Sequence, residues 1–494
     1  MGYSEKCNDS LFCILFPVKK PNGTVDYYTS DYTEMLGSQV YKGYQCRLKT
    51  VPKNLAPQRV KKEDIIIDET HPVAIKIYNK GQHPSLYQFY VSEIAVLNIE
   101  GQEALIMDFI DGFHIYPNAS ENPQLRQLTF FQAADVAWQL ILGLNRMHYR
   151  NTSGPSIVHG DIKGENIKIR IKEIDVSGAK QCKIDALYLD PDYAKPIVEY
   201  PQFSQGTLEH LAIEALDGYY SEASDFFALT PILFSLFGAS NPLRKIIEFR
   251  NAHTHLNMEE LVKQYREIDF CSEGLFEHFE KKPDPFVCDI VERFITQMGA
   301  KYRKDRPSPE AILEFFTALR QITLNNLSIE DSNICLLRLR IAAKDEIGLK
   351  EPTSQIIFNH LDESLQHRLV NLMDLSQLAY LYRTSQENKA SSSLVAALRK
   401  NIADHLIEES YSLEQPSLLG SLFCDPVTPK EISWLRQCFV DNNYTEFYSP
   451  AKEKTRKKIV NCKDNSLALL ISIAVEDLSK ALELSKLAQN SNGI

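Results

Sequence analysis

The sequence of 494 residues has few of the features that mark metal scaffolds, secreted domains or fibrous chains. Its ten cysteines include no C-x-x-C pair and no tight cluster with histidine, so neither a zinc site nor a disulfide framework is indicated. Glycine and proline, with 20 and 23 residues, are too few for a collagenous or low-complexity chain. Scattered free thiols in a large chain are typical of a reducing compartment, which predicts a cytoplasmic protein.

An excess of positive charge and long hydrophobic runs are also missing. The formal net charge of -11 argues against a dedicated partner of nucleic acid, although an acidic protein can still hold a local basic pocket for an anion of the size of ATP. The longest early apolar run, residues 11–16, is too short to span a bilayer, so no integral membrane segment is expected.

Three regions follow from the patterning of the chain. Pro21-Asn22-Gly23 between two β-prone stretches predicts a hairpin within an N-terminal β extension, residues 1–30. β-like material continues to about residue 79, and the apolar spacing becomes helical over 133–147. We therefore expect a β-rich part and then a helical part over 31–322, divided near residue 110.

From about residue 323 the composition is that of an all-helical domain, because only three glycines occur up to residue 494. Thr428 to Glu431 has the order of an N-cap, an N1 proline and a capping-box carboxylate, which predicts a helix start. Ser466 precedes the one-sided apolar stripe of a final amphipathic helix.

The sharpest motif is H-x-D-x-K-x-x-N, residues 159–166. Phosphoryl transfer requires a carboxylate for the attacking hydroxyl, a cation near the γ-phosphate and an oxygen ligand for Mg²⁺ one short loop away. Asp161, Lys163 and Asn166 supply these in order, and the motif resembles the catalytic loop of the protein kinase family. The resemblance implies catalytic roles for Asp161 and Lys163 and a metal ligand at Asn166.

Upstream, Val73 to Lys76 is similar to the strand of that family whose lysine holds the α and β phosphates, which implies Ala74 and Lys76 at the nucleotide. Glu93 begins an E-x-x-x-L step that resembles the helix-C glutamate, the expected ion-pair partner of Lys76. Residues 105–112 resemble the last strand of the N-terminal lobe and the hinge. This implies Met107 as the gatekeeper, with the backbone of Asp108 and Ile110 beside adenine.

Downstream, residues 206–214 resemble the end of an activation segment, with Ala-Ile-Glu in place of Ala-Pro-Glu. Asp225 resembles the aspartate of the buried helix F, which fastens the catalytic loop. Arg306 matches the late arginine that pairs with the position of Glu214. These residues imply a complete C-terminal lobe to about residue 322.

The metal-binding Asp-Phe-Gly triplet is missing in its usual form, and two replacements compete. If residues 175–178 are the turn of a hairpin, the returning strand comes level with the catalytic loop near residue 188, which favours Asp190 as the metal ligand. Asp185 follows Lys-Ile, and this short sequence resembles the motif of the family more closely. Both remain candidates.

The glycine-rich phosphate cover is also degraded, because residues 36–43 keep a first glycine, Gly37, and displace the last. If Gly37 begins the cover, a side chain now occupies its middle position. The 39 residues from Gly37 to Lys76 exceed what the family needs, so an inserted loop is expected over about 49–70.

Gly160 replaces the arginine that normally grips a phosphorylated activation loop, so activation by that ion pair is not expected. The same His-Gly-Asp wording occurs in small-molecule phosphotransferases of the aminoglycoside and choline kinase type, which is one alternative. Lys163, Gly206-Thr207 and Arg306 favour a protein kinase. A second alternative is a pseudokinase that binds partners through this fold and the helical domain.

These features predict an α+β chain with a two-lobed protein kinase fold followed by an all-α domain. The resemblance implies transfer of the γ-phosphate of ATP to Ser or Thr of a protein substrate, with Mg²⁺ or Mn²⁺ as cofactor, and a protein partner of the helical domain is also considered. The divergent wording is similar to eukaryotic-like kinases that intracellular bacterial pathogens deliver into host cells, which would imply the host cytosol.

Overall fold

The computed structural model describes sixteen stretches of the chain, and the chain divides into two compact units, Met1–Pro309 and Glu310–Ile494. The described residues are 12–37, 39–49, 58–83, 93–99, 102–116, 122–149, 156–176, 179–257, 260–261, 264, 267–324, 327–345, 350–387, 392–412, 428–460 and 465–491. No helix among these residues is long and apolar enough to cross a membrane.

The first unit begins with the predicted hairpin. Strands β1 (Phe12–Lys19) and β2 (Val25–Gly37) pair in antiparallel register, with Lys19 opposite Val25. Gly23 in the turn has a φ of 83°, a left-handed conformation that glycine adopts without strain. The hairpin prediction is confirmed.

This hairpin belongs to a seven-stranded antiparallel sheet with the order β4-β1-β2-β3-β5-β7-β6. The remaining strands of the sheet are β3 (Val40–Leu48), β4 (Gln58–Lys61), β5 (Ile65–Ile77), β6 (Glu93–Ile99) and β7 (Gln102–Asp108).

The loop expected over 49–70 is partly wrong, because residues 58–70 contain β4, one 3₁₀ turn and the first half of β5. Residues 50–57 lie outside the described residues. Residues 58–70 form strands because some of them favour β-structure and can be buried in the sheet. Ile65 packs with Cys13, Leu15 and Cys46 in a small apolar cluster, so this segment extends the sheet.

Helices form the second half of the first unit. α1 (Phe130–His148) covers the predicted helix and begins with a capping box between Thr129 and Gln132. α3 (Glu222–Leu236) is almost entirely buried, which is why its sequence has no polar face. The other helices of this unit are α2 (Ile213–Leu216), α4 (Arg244–Ala252) and α5 (Pro285–Met298).

Among the described residues, five further strands accompany these helices. A three-stranded sheet has the order β11-β10-β8, and β9 pairs with β12. The strands are β8 (Phe113–His114), β9 (Ile157–Val158), β10 (Ile167–Val176), β11 (Ala179–Tyr188) and β12 (Lys195–Pro196).

The second unit is helical throughout its described residues, as its composition predicts. Its helices are α6 (Pro309–Ile322, whose first residue belongs to the first unit), α7 (Ile329–Ala342), α8 (Pro352–His360), α9 (Glu363–Val370), α10 (Leu375–Glu387), α11 (Ser392–Ser412), α12 (Pro429–Val440), α13 (Tyr444–Phe447), α14 (Glu453–Val460) and α15 (Asn465–Ser491).

Two local predictions for this unit are confirmed. The capping box at the start of α12 is formed, with the Glu431 N–H donating to the Thr428 hydroxyl and the Thr428 N–H donating to the Glu431 carboxylate. α15 is the final amphipathic helix, and Leu470, Ala474 and Leu478 from its stripe are buried in the helical core.

Candidate active site

A cleft of about 540 Å³ lies in the first unit, between the sheet and the loops that precede β10 and follow β11. The residues that line it come from six places in the sequence. They are Leu36, Val40, Ala74, Lys76, Leu105, Met107, Asp108, Phe109, Ile110, His114, Tyr116, Lys163, Glu165, Asn166, Lys168, Leu189, Asp190, Pro191 and Thr207.

The loop at the floor of the cleft is fixed by Asp225 at the start of α3. The carboxylate of Asp225 accepts hydrogen bonds from the backbone N–H groups of His159 (2.7 Å) and Gly160 (3.1 Å), and it lies 3.0 Å from His148 Nε2. Asp225 is only 2% exposed, so its carboxylate makes few hydrogen bonds to water, and the bonds from the loop replace them. The predicted fastening of the loop by Asp225 is confirmed.

Asp161 is buried and surrounded by donors. The Thr207 hydroxyl donates to its Oδ1 at 2.8 Å, and Lys163 Nζ lies 2.8 Å from its Oδ2. Asn166 Nδ2 donates to the same Oδ2 at 3.0 Å and to the Asp161 carbonyl at 2.8 Å. Burial opposes ionisation of this carboxyl, but Lys163 and Thr207 outweigh it, and the pKa of Asp161 falls below its usual range. Asp161 is thus a carboxylate at neutral pH.

Lys76 extends from β5 toward two carboxylates. Its Nζ donates to Asp190 Oδ1 at 2.6 Å and to Asp192 Oδ2 at 2.7 Å. Burial alone would lower the pKa of this lysine, but the two carboxylates raise it above its usual value. Lys76 is therefore a fixed cation at the wall of the cleft.

The hairpin of β10 and β11 decides where the two competing aspartates lie. Its register places Ile167 opposite Tyr188 and Arg170 opposite Asp185, so the chain returns to the catalytic loop at Leu189, whose N–H donates to the Asn166 carbonyl at 2.8 Å. Asp190 follows directly and lines the cleft. The hairpin expected over this segment is confirmed, while its turn residues, 177 and 178, lie outside the described residues.

Asp185 does not join the other candidate residues. It lies inside β11, where its carboxylate is 2.9 Å from Arg170 Nη2 and 3.1 Å from Lys183 Nζ. These two cations lower the pKa of Asp185 despite partial burial. In this geometry Asp190 lines the cleft and Asp185 does not, because a regular hairpin places residue 185 four positions before the return to the loop at Leu189.

Glu93 corrects a second prediction. It begins β6, whose residue Val96 pairs with Leu105 of β7, so it does not begin a helix. Residues 84–92, which precede Glu93, lie outside the described residues. The spacing of Glu93 and Leu97 suits a helix, but Ile94, Val96 and Ile99 favour a strand. The described partners of Lys76 are Asp190 and Asp192 in place of a helix-C glutamate.

The residues expected at the nucleotide lie on the sheet side of the cleft. Ala74 and Met107 are paired neighbours on β5 and β7, and both line the cleft with Asp108 and Ile110. The Ile110 carbonyl accepts a hydrogen bond from Lys168 Nζ at 2.8 Å. Adenine recognition by Ile110 would therefore use its N–H.

Gly37 ends β2 in a tight turn and pairs with Val40. Leu36 and Val40, on either side of this turn, line the cleft. Gln39 in the turn has a φ of 64°, and its carbonyl accepts from the Ile77 N–H at 2.9 Å. A residue with a side chain therefore holds the left-handed position of this turn.

The ion pair predicted for the C-terminal part of the unit is present. Arg306 donates from Nη1 and Nη2 to the two oxygens of Glu214, at 2.6 and 3.1 Å, and its guanidinium also binds the carbonyls of Ala300 and Lys301. The Arg306 side chain is 2% exposed. This bidentate pair ties the end of the segment 206–214 to the loop before α6.

With this geometry established, comparison with known proteins gives one match. A family model of the protein kinase domain matches residues 36–316, more than half of the chain, and the chain belongs to the protein kinase family. No curated protein matches the chain significantly. Membership confirms the predicted α+β kinase fold, a phosphotransferase activity in general, and the general use of ATP and a divalent metal.

The sequence reasoning did not assign three residues of the site. From the sequence alone, Thr207 enters only as part of the segment 206–214, and Asp192 is not singled out. Lys195, from β12, packs beside Gly160, with its Cε 3.5 Å from where a Cβ of residue 160 would lie. Asp192 and Lys76 are 116 residues apart in the sequence, so no local pattern joins them. The sequence signal for Asp192 is the pair of aspartates that flank Pro191.

Proposed function

We propose that the protein transfers the γ-phosphate of ATP to serine or threonine hydroxyls of proteins. The observation that carries this proposal is the buried Asp161 carboxylate, bonded to Thr207, Lys163 and Asn166, three residues that line the cleft together with Lys76 and Asp190. Phosphoryl transfer depends on positioning and on electrostatic stabilisation, and this set of groups provides both.

Asp161 is the group that orients the attacking hydroxyl and accepts its proton. Its low pKa keeps it ionised, and Thr207 and Lys163 fix the direction of its two oxygens. The Lys163 ammonium lies beside it and neutralises charge on the transferred group. The preference for serine and threonine rests mainly on Lys163, which also donates to the Thr207 hydroxyl at 3.1 Å.

The donor set fits a magnesium ion. Mg²⁺ prefers a few carboxylate or amide oxygens together with phosphate oxygens, and it rarely uses an all-protein cage. Asp190 offers a carboxylate at the cleft, and the Asn166 amide, whose nitrogen faces Asp161, offers its oxygen. The described residues contain no cluster of three or more acidic, histidine or cysteine ligands. A bound metal would neutralise charge on the phosphates.

We further propose that activity does not depend on a phosphate held by residue 160. Gly160 has a φ of 77°, and a Cβ there would lie 2.6 Å from the Tyr193 carbonyl, so a larger residue does not fit. Lys195 Nζ lies 3.8 Å from the centre of the Tyr220 ring and donates to the Phe203 carbonyl at 3.2 Å. Tyr220 in turn binds the backbone of Gln205. These contacts support a segment ordered without phosphate.

The test is autophosphorylation with Mg²⁺ and ATP, followed by mapping of the modified residues by mass spectrometry. We expect phosphoserine or phosphothreonine, and we expect Asp190→Asn to abolish transfer while the matched control Asp185→Asn retains it. Phosphotyrosine alone would contradict the proposed specificity. Equal loss in both variants would contradict the metal assignment.

The helical domain remains a predicted site for a protein partner. Its described residues have their own apolar core, which includes Phe358, Phe439 and Leu470.

A further inference from the structure

Lys76 is held by two carboxylates that differ in their surroundings. Asp190 lines the cleft and its side chain is 38% exposed, whereas the Asp192 side chain is 21% exposed and lies behind the lysine, outside the residues that line the cleft. An ammonium has three hydrogen-bond donors, so Lys76 can keep one carboxylate behind it and still present a donor to a ligand in the cleft.

Asp192 is itself fixed by Tyr78. The Tyr78 hydroxyl donates to Asp192 Oδ1 at 2.9 Å, while Lys76 Nζ donates to Oδ2, so both carboxylate oxygens have a strong donor. Lys76 lies next to the last residue of β5 and Tyr78 directly follows the strand, and Lys76 Nζ is 5.2 Å from the centre of the Tyr78 ring, so the two side chains lie on the same side. Tyr78 is only 3% exposed, which limits its freedom to move away from Asp192.

The backbone around Pro191 brings both carboxylates to the lysine. Asp190 adopts a φ of 56° and a ψ of 66°, and Pro191 opens a 3₁₀ turn over Pro191–Tyr193. A left-handed conformation at a non-glycine residue has a cost in free energy, which persists where surrounding contacts enforce it. Here the enforcing contacts are the two bonds to Lys76.

We propose that Asp192, held by Tyr78, is the positioning residue that orients Lys76 toward the triphosphate. This inference rests on the proposed function and assigns to Asp192 the task that sequence alone gave to Glu93. When Asp190 serves the metal, Asp192 still holds the Lys76 ammonium in its direction. Without Asp192, Asp190 is the remaining partner of Lys76 among the described residues, and their ion pair would compete with the phosphates for the lysine.

The test compares two nucleotide probes on the full chain, with affinities measured by calorimetry in the presence of Mg²⁺. We expect Asp192→Asn to weaken binding of ATP about tenfold and binding of adenosine, which has no phosphates, by less than twofold. Asp192→Glu should stay within threefold of the wild type for ATP. Tyr78→Phe, which leaves the carboxylate in place, should weaken ATP binding about threefold.

A double-mutant cycle separates action through Lys76 from a general loss of structure. In a Lys76→Met background, Asp192→Asn should have no further effect on the affinity for ATP. The inference is overturned if Asp192→Asn binds ATP as well as the wild type, if it weakens adenosine equally, or if its effect persists without Lys76. A wild type that binds ATP but transfers no phosphate would contradict only the proposed function, since these affinities would still decide the role of Asp192.

Discussion

Asp161 and Lys195 show how the environment of one residue sets its charge. Asp161 is buried, yet three donors hold it ionised, so its pKa is lowered. Lys195 is also buried, but it has one carbonyl, an aromatic ring and the more distant charge of Asp225, and burial lowers its pKa to about 8. Hydrogen bonds to the charged form therefore decide the outcome at the first site, and desolvation decides it at the second.

Gly160 is the residue whose substitution tests the closeness of the loop to Tyr193. Gly160→Ala should lower the free energy of unfolding by about 2–4 kcal/mol, because it combines a left-handed φ with the contact of 2.6 Å. Gly81→Ala is the matched control, since Gly81 has a φ of 86° and nothing within 4 Å of the added carbon. Denaturant titration measures both, and equal losses would contradict a steric role for Gly160.

Lys195 predicts a pH dependence of stability. Its pKa is about 8 in the folded chain against the ordinary 10.5, so between these values the unfolded chain binds more protons. The free energy of unfolding therefore rises with pH across this window. Relative to Lys195→Met, the wild type should gain about 1–2 kcal/mol between pH 7.5 and 9.5. A constant difference in denaturant titrations at the two pH values would show that Lys195 does not titrate there.

At the scale of elements, α3 supports the loop of residues 159–166 through the hydrogen bonds of Asp225. Asp225→Asn removes a charged acceptor from two backbone donors, so we expect a loss of about 1–3 kcal/mol in stability and a fall of about tenfold in phosphate transfer. Glu222→Gln, in the first turn of the same helix, is the control and should change neither. Full activity of Asp225→Asn would refute this role.

The strands differ in how well the sequence predicts them. Residues 167–188 could be predicted because the turn residues and the length of the hairpin fix its register, which placed Asp190 at the cleft. The strand at Glu93 could not be predicted in this way. The spacing of residues 93–97 suits a helix and their propensity suits a strand, and pairing with β7 decides between the two. Contacts such as Lys76 with Asp192 depend on the tertiary fold and have no local signal.

For the whole molecule, the family match to residue 316 ends inside α6, most of which belongs to the second unit. Glu314 of this helix is buried with Arg338, and Arg368 Nε lies 3.2 Å from its other oxygen. α6, in which the match ends, is therefore bound to other helices of the second unit by the ion pairs of Glu314.

Removing the buried charge of Glu314 should strongly destabilise the second unit. Glu314→Gln should destabilise the second unit by about 3–5 kcal/mol, because Arg338 would remain buried without its anion. Differential scanning calorimetry should show one transition at a lower temperature, with ATP affinity unchanged. Glu310→Gln, exposed on the same helix, is the control. An unchanged thermogram would contradict the importance of this pair.

The central claim is that Asp161 acts as the base at an ATP site, and its most direct test is transfer of radiolabelled γ-phosphate from ATP onto the chain itself. Asp161→Asn keeps the shape of the side chain and removes its charge. We predict that it reduces the rate about 10²–10⁴-fold while ATP affinity stays within threefold of the wild type. Transfer by Asp161→Asn at the wild-type rate would contradict the account.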